Sequence, residues 1–138
     1  AGDGDFKEEL VNYAAGLGIA GDVEFTGMIP EKELVGFLQS LDIYVHASLG
    51  ETMSTAIMQA MACKLPIVAS DVNGINNMII HGKTGILVPA QQEQELAKAL
   101  QEYLSNPDLC NLMAQNAFDY AKANYSNHNM MQLYKQLF

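Results

Sequence analysis

The chain has 138 residues, 49% of them hydrophobic and 17% charged, so it predicts a folded domain with a substantial core and excludes a disordered segment. Seven basic against sixteen acidic residues leave a formal charge of −9. With no lysine or arginine cluster to offset it, that charge argues against nucleic acid or an anionic membrane as the main partner.

No run approaches the ~20 apolar residues of a membrane span, and no signal-peptide pattern shows. Cys63 and Cys110 have neither CxxC nor Cys/His metal spacing. They read as buried free thiols, which fits a reducing, cytoplasmic setting.

Ala1-Gly2-Asp3-Gly4-Asp5 opens on turn residues, as though a strand preceded it, so the sequence reads as a fragment or an excised domain. Asp5 is expected to cap a helix over about 5–17, with Phe6, Leu10, Val11, Ala14 and Leu17 along one face. Residues 23–26 alternate as a short strand closed by Gly27. Pro30 then opens a second helix carrying Leu34, Phe37, Leu38 and Leu41 on one side. A strand over 42–46, a helix over about 52–63 and a strand over 65–69 follow. The apolar run of the last suits a strand buried on both faces. Residues 74–81 read as a loop leading into a short helix, Gly82-Lys83-Thr84-Gly85 as a turn, and 86–88 as a strand ended by Pro89. Three helical stretches close the chain, over about 92–104, 107–124 and 127–137. Strands alternating with helices predict an α/β fold, a doubly wound parallel sheet.

In such sheets ligands bind at the carboxyl ends of the strands. Four loops qualify: residues 2–4, 27–29, 48–54 and 71–74. The third is the most informative. Gly50 permits close backbone approach, and Thr52 and Ser54 are capping residues. Glu51 stands where a helix amino terminus offers unpaired N–H groups. A carboxylate can hold hydroxyls while the amides of Met53 and Ser54 face a phosphate, which points to a nucleotide-type ligand. The plainer alternative is that Glu51 only complements the helix dipole.

On the helix that follows, Ile57, Met61 and Leu65 form a core stripe, and Gln59 lies on another face two turns beyond Glu51. Gln59 reads either as a second hydroxyl contact or as a surface amide. His46 ends a strand and reads as a cleft residue or a structural histidine; His81 and His128 read as solvated. Lys83 and Thr84 lack the spacing of a P-loop, and no metal cluster can be assembled.

Read together, the blocks Val23-Glu24-Phe25-Thr26-Gly27, Pro30 with Glu33-Leu34, Ser48 with Glu51 and Ala60-Met61-Ala62, Pro66-Ile67-Val68-Ala69-Ser70-Asp71, Asn73-Gly74, and Gly82 to Val88 form an ordered series. The series resembles the carboxy-terminal, donor-binding domain of the retaining glycosyltransferases of family 4, also called group 1. The resemblance covers nearly the whole chain. It implies the Rossmann-like carboxy-terminal half of a GT-B enzyme, a single domain over 1–138 with trailing helices over about 92–138 and a missing amino-terminal acceptor domain. The implied activity is transfer of a hexosyl group from a UDP-, GDP- or ADP-sugar to an acceptor, in bacterial polysaccharide, lipopolysaccharide or capsule synthesis. By the same resemblance no cofactor or metal is required. Any peripheral membrane association would come through the missing domain.

Carried over by residue, Glu51 matches the first acid of the family's E-x₇-E motif and would contact the donor sugar as the catalytic residue. Thr52, Met53 and Ser54, following Gly50, match the turn whose amides meet the diphosphate. Gln59 stands where the second acid binds the ribose. Gly27, Met28 and Ile29 match the loop beside the base, and Gly2 and Gly4 the glycine turn at the domain interface. There are departures: Gln59 lacks the charge of a glutamate and adds donors, Asn73 replaces the first glycine of the family's Gly-Gly-like loop, and Asn77 stands where the family usually has a glutamate after that loop. Lys64 occupies a helix end that is usually glycine, where a left-handed conformation costs about 1 kcal/mol. The alternative implied by Gln59 is a non-catalytic or degenerate nucleotide-sugar-binding or partner domain. Either way, this chain alone is expected to transfer nothing.

Overall fold

The computed structural model describes residues 1–126, so the expected helix over 127–137, with His128, lies outside the described residues. The fold divides into two compact units, Ala1–Phe37 and a second from Leu38 onward.

In the first unit α1 spans Lys7–Gly16, followed by a short 3-10 turn at Ala20–Asp22. The helix starts one residue later than a cap at Asp5 predicts. Phe6 is its N-cap and makes no side-chain cap, while the Lys7 N–H donates to the Gly4 carbonyl at 3.1 Å. Of the expected apolar face only Ala14 is buried; Phe6, Leu10, Val11 and Leu17 are exposed. Residues 23–26 belong to no strand. Val23 is extended, with φ −118° and ψ 121°. A strand, however, is defined by its ladder partner, and the segment has none among the described residues. The α2 helix, Glu31–Gln39, begins directly after Pro30 as predicted and carries the chain into the second unit, burying Leu38.

The second unit is built on three parallel strands, β1 (Tyr44–His46), β2 (Ile67–Ser70) and β3 (Ile86–Val88), in the order β1-β2-β3. Val45 pairs with Val68, and Ala69 with Leu87. All four residues of β2 are buried, as a central strand with an apolar run should be. The crossover from β1 to β2 runs through α3, Thr55–Ala62; α4 (Glu93–Ser105) and α5 (Pro107–Asn124) follow β3. Ile57 and Met61 of α3 are fully buried and Leu65 nearly so, the stripe read from the sequence.

Val68, Ile86 and Val88 pack with Ala99, Tyr103 and Met113. Burial pushes the Tyr103 phenol upward, so it stays protonated and donates to the Ile67 carbonyl at 3.2 Å. The short helix expected within 74–81 is instead a series of turns over 73–78. The bonds there are isolated, Asn76 N–H to the Val72 carbonyl at 3.0 Å and Ile79 N–H to the Ile75 carbonyl at 3.2 Å, mixed with i→i−3 turns. Cys63 and Cys110 are free and half-buried, less enclosed than expected.

Candidate functional site

The candidate site lies in the second unit, at the carboxyl ends of β1 and β2, where the loops 47–54 and 71–74 emerge. Glu51 is held there by its backbone and its side chain. Its N–H donates to the Asn73 carbonyl at 3.2 Å. Gly74 packs so tightly that a Cβ on it would stand 1.7 Å from the Glu51 carbonyl oxygen. The Glu51 Oε1 atom accepts a hydrogen bond from His46 Nε2, and His46 Nδ1 lies 3.1 Å from the Tyr44 hydroxyl. The Tyr44 and His46 rings stack with centroids 5.9 Å apart, because residues i and i+2 of a strand share a face.

The His46 hydrogen bond lowers the Glu51 carboxyl from its ordinary value, against the opposing effect of burial, with smaller contributions from the Ser54 and Ser48 hydroxyls. Glu51 is therefore ionised at neutral pH. Tyr44 is shifted upward by its own burial and by the Glu51 charge.

The helix beside Glu51 begins at Thr55, three residues later than predicted, with Ser54 as its N-cap. The buried Ser54 hydroxyl accepts the Ile57 N–H at 3.4 Å, and the Ser54 N–H itself donates to Met78 Sδ at 3.4 Å. The Ser54 amide expected to face a phosphate is thus already engaged. The groups a helix start leaves without an intrahelical acceptor here are the N–H groups of Thr55 and Ala56. Thr52 and Met53 lie in the exposed loop before the cap. Gly50 is open, with nothing within 4 Å of where a Cβ would sit; the glycine that permits close approach is Gly74.

Gly2, Gly4, Gly27, Met28 and Ile29 belong to the first unit. There the Gly2 N–H donates to the Gly27 carbonyl at 2.7 Å; both glycines have positive φ, 116° and 66°, and Met28 is exposed. Among the described residues no group of three or more His, Cys, Asp or Glu side chains is placed to hold a metal ion. No helix among them is long and apolar enough to cross a membrane.

The sequence profile of the group 1 glycosyl transferases matches residues 1–120. The chain belongs to this family. Alpha-D-kanosaminyltransferase of Streptomyces kanamyceticus is 33% identical over 91% of this chain, which spans 33% of that enzyme. HepE of Anabaena in complex with UDP superposes with a TM-score of 0.89 at 25% identity, over 96% of this chain and 36% of HepE. HepE has also been solved with UDP-glucose. The C-terminal domain of the group 1 protein LpcC from Francisella tularensis superposes with a TM-score of 0.81 at 29% identity, over 89% of this chain and 64% of that one. The fold is accordingly the Rossmann-like carboxy-terminal half of a GT-B glycosyltransferase, and the chain spans about a third of the length of the relatives it matches.

Within this group 1 chain, Gln59 is exposed on α3 and lines a groove of about 520 Å³ against α5, beside Met58, Phe118 and Lys122. No hydrogen bond joins it to Glu51 among the described residues. Two contributions to the Glu51 loop were missed from sequence. Tyr44 could have been found from its i, i+2 spacing to His46. The Asn73-Gly74 clasp had only the turn-forming dipeptide itself as a signal.

Proposed function

We propose that this chain is the nucleotide-sugar-binding domain of a retaining glycosyltransferase that moves a hexosyl group from a nucleoside-diphosphate sugar to an acceptor. Glu51 orients the donor sugar through its hydroxyls. Leaving-group charge on the diphosphate is stabilised by the Thr55 and Ala56 N–H groups at the start of α3 and by basic residues that lie outside this chain. Gln59 serves the ribose, Gly27, Met28 and Ile29 form the loop beside the base, Gly2 and Gly4 the turn facing the acceptor half, and the loop 50–53 serves the diphosphate. The whole of 1–138 acts as one donor-binding domain, and synthesis of a bacterial polysaccharide, lipopolysaccharide or capsule is the setting.

The observation that carries this reading is the ionised Glu51 carboxylate, held by His46 at the carboxyl edge of a parallel sheet, immediately before a capped helix. The UDP and UDP-glucose complexes of HepE support the choice of ligand class. A second reading, a binding domain without catalytic function, is favoured by one feature: Gln59 in place of the second acid.

A thermal-shift panel of UDP-, GDP- and ADP-sugars on this chain tests the proposal. Ligand at ~100 times its dissociation constant adds roughly 2.7 kcal/mol of stability, a readily measured rise in melting temperature. No shift with any sugar nucleotide at millimolar concentration removes the reading.

A further inference from the structure

An ionised carboxylate can only accept hydrogen bonds, so in the His46–Glu51 contact Nε2 carries the proton. In a neutral imidazole Nδ1 is then the acceptor, and the Tyr44 hydroxyl, 3.1 Å away, is its donor. The three groups form a hydrogen-bonded chain, with the Tyr44 hydroxyl against Nδ1 and Nε2–H donating to Glu51 Oε1. Tyr44 and His46 are mostly buried on one face of β1, and the His46 side chain is only 18% exposed. The imidazole is thereby fixed by a strand on one side and by a stacked ring on the other. Glu51, by contrast, sits in a loop. Its backbone is clasped by Asn73 and Gly74, but nothing in that clasp fixes how its side chain points.

We propose that His46, steadied by Tyr44, is the positioning residue for Glu51, engaging Oε1 so that Oε2 is the oxygen presented to the hydroxyls of the donor sugar. His46 does not touch the sugar; it acts through the carboxylate. The inference rests on the donor-site reading above and adds to it the group that sets the geometry of the acid. The titratable groups facing Glu51 are His46 and, behind it, Tyr44, both from β1. The remaining polar neighbours are the hydroxyls of Ser48 and Ser54.

Two variants test it, His46→Leu, which removes the donor, and His46→Gln, whose amide N–H can occupy the place of Nε2. Two readouts are taken: sugar-nucleotide affinity by calorimetry between pH 4 and 8, and the titration of the Glu51 carboxyl by carbon NMR on the ligand-free chain. His46→Leu is expected to weaken binding roughly ten-fold, to move the acid limb of the affinity profile to higher pH and to raise the carboxyl midpoint; His46→Gln should restore most of the affinity. Circular dichroism checks that both variants fold. Equal affinity and an unmoved carboxyl midpoint in a folded His46→Leu chain overturn the proposal. A wild-type chain that binds no sugar nucleotide overturns the donor-site reading and the assigned role with it. The carboxyl titration still reports whether the pair itself exists, so the two failures are distinguishable.

Discussion

Gly74 and Glu51 touch through their backbones: a Cβ built on Gly74 would stand 1.7 Å from the Glu51 carbonyl oxygen and 2.4 Å from its carbon. Gly74 also holds φ at +86°, a conformation in which side chains are strained. Both effects act against any other residue there, and the obstructing atoms are backbone, which cannot swing aside. Gly74→Ala is expected to destabilise the chain by roughly 2–5 kcal/mol, from overpacking and left-handed strain together. Gly50→Ala, one residue before Glu51 and with nothing within 4 Å of where its Cβ would sit, should stay within about 0.5 kcal/mol of the parent. Urea unfolding of the two variants side by side checks the contrast. Similar midpoints would mean that the loop gives way and that the clasp does not hold Glu51.

The lowered carboxyl of Glu51 has a pH signature. Its folded value lies below the ordinary 4.5 that the unfolded chain retains, so the unfolded state takes up the proton first as pH falls. The stability contributed by the ionised Glu51 carboxylate is therefore fully present above about 4.5 and declines as pH drops through the lowered folded value. Glu51→Gln removes this group, so its unfolding free energy should fall less steeply than that of the parent between pH 5 and 3. Parallel denaturation series across that range measure it. Equal slopes would show that Glu51 is not held as an ionised partner of His46.

How much of this was legible in the sequence depends on whether a feature is decided locally. The Ile57, Met61 and Leu65 stripe is a local pattern and stands where the sequence puts it; the apolar strand expected over 65–69 is local too, and forms two residues later as Ile67–Ser70. The start of α3 is not local. Thr52 and Ser54 are both good caps, and the choice of Ser54 is made partly by Met78, 24 residues away, whose sulfur takes the Ser54 N–H. The same holds for glycine: nothing in the two short loops says whether Gly50 or Gly74 meets another backbone until the loops are brought together. Residues 23–26 have strand composition, but composition supplies no ladder partner. Glu51 itself was legible as a loop carboxylate before a helix. Its partner His46 stood as one of two open readings, and Tyr44 was not seen at all.

Lys64, after the last turn of α3, adopts φ 57°, as the usual glycine at this helix end would suggest. Relief of this strain by Lys64→Gly is worth about 1–2 kcal/mol. Against it stand the greater entropy of the unfolded glycine chain, about 0.4–1 kcal/mol. The lost stacking of the Lys64 ammonium, 4.8 Å from the Phe118 ring centre, opposes it as well. That contact is worth about 0.5–1 kcal/mol at an exposed site. The terms nearly cancel, so Lys64→Gly should lie within about 1 kcal/mol of the parent. In a Phe118→Leu background the stacking is already gone, and the same change should become more favourable by about 0.5 kcal/mol. A double-mutant cycle by denaturant unfolding reads this coupling directly; a coupling of zero would leave Lys64 as strain without compensation.

Gln59 decides between the two functional readings, and its setting allows a definite expectation. It is exposed on α3, and glutamine and glutamate have nearly equal helix propensity, so Gln59→Glu should change stability by less than about 0.5 kcal/mol. Effects on binding can therefore be read without a folding correction. A glutamine carbonyl accepts the same hydroxyl hydrogen bond as a carboxylate, and at an exposed position the additional charge is screened by solvent. A working donor site therefore predicts that sugar-nucleotide affinity changes by less than about two-fold, a difference of under about 0.5 kcal/mol. Calorimetric titration of both forms with the sugar nucleotide that gives the largest thermal shift is the measurement. Tightening of several-fold would mean that loss of the second acid had weakened the site. The chain would then be better described as a domain that retains the fold and Glu51 but has drifted from donor binding.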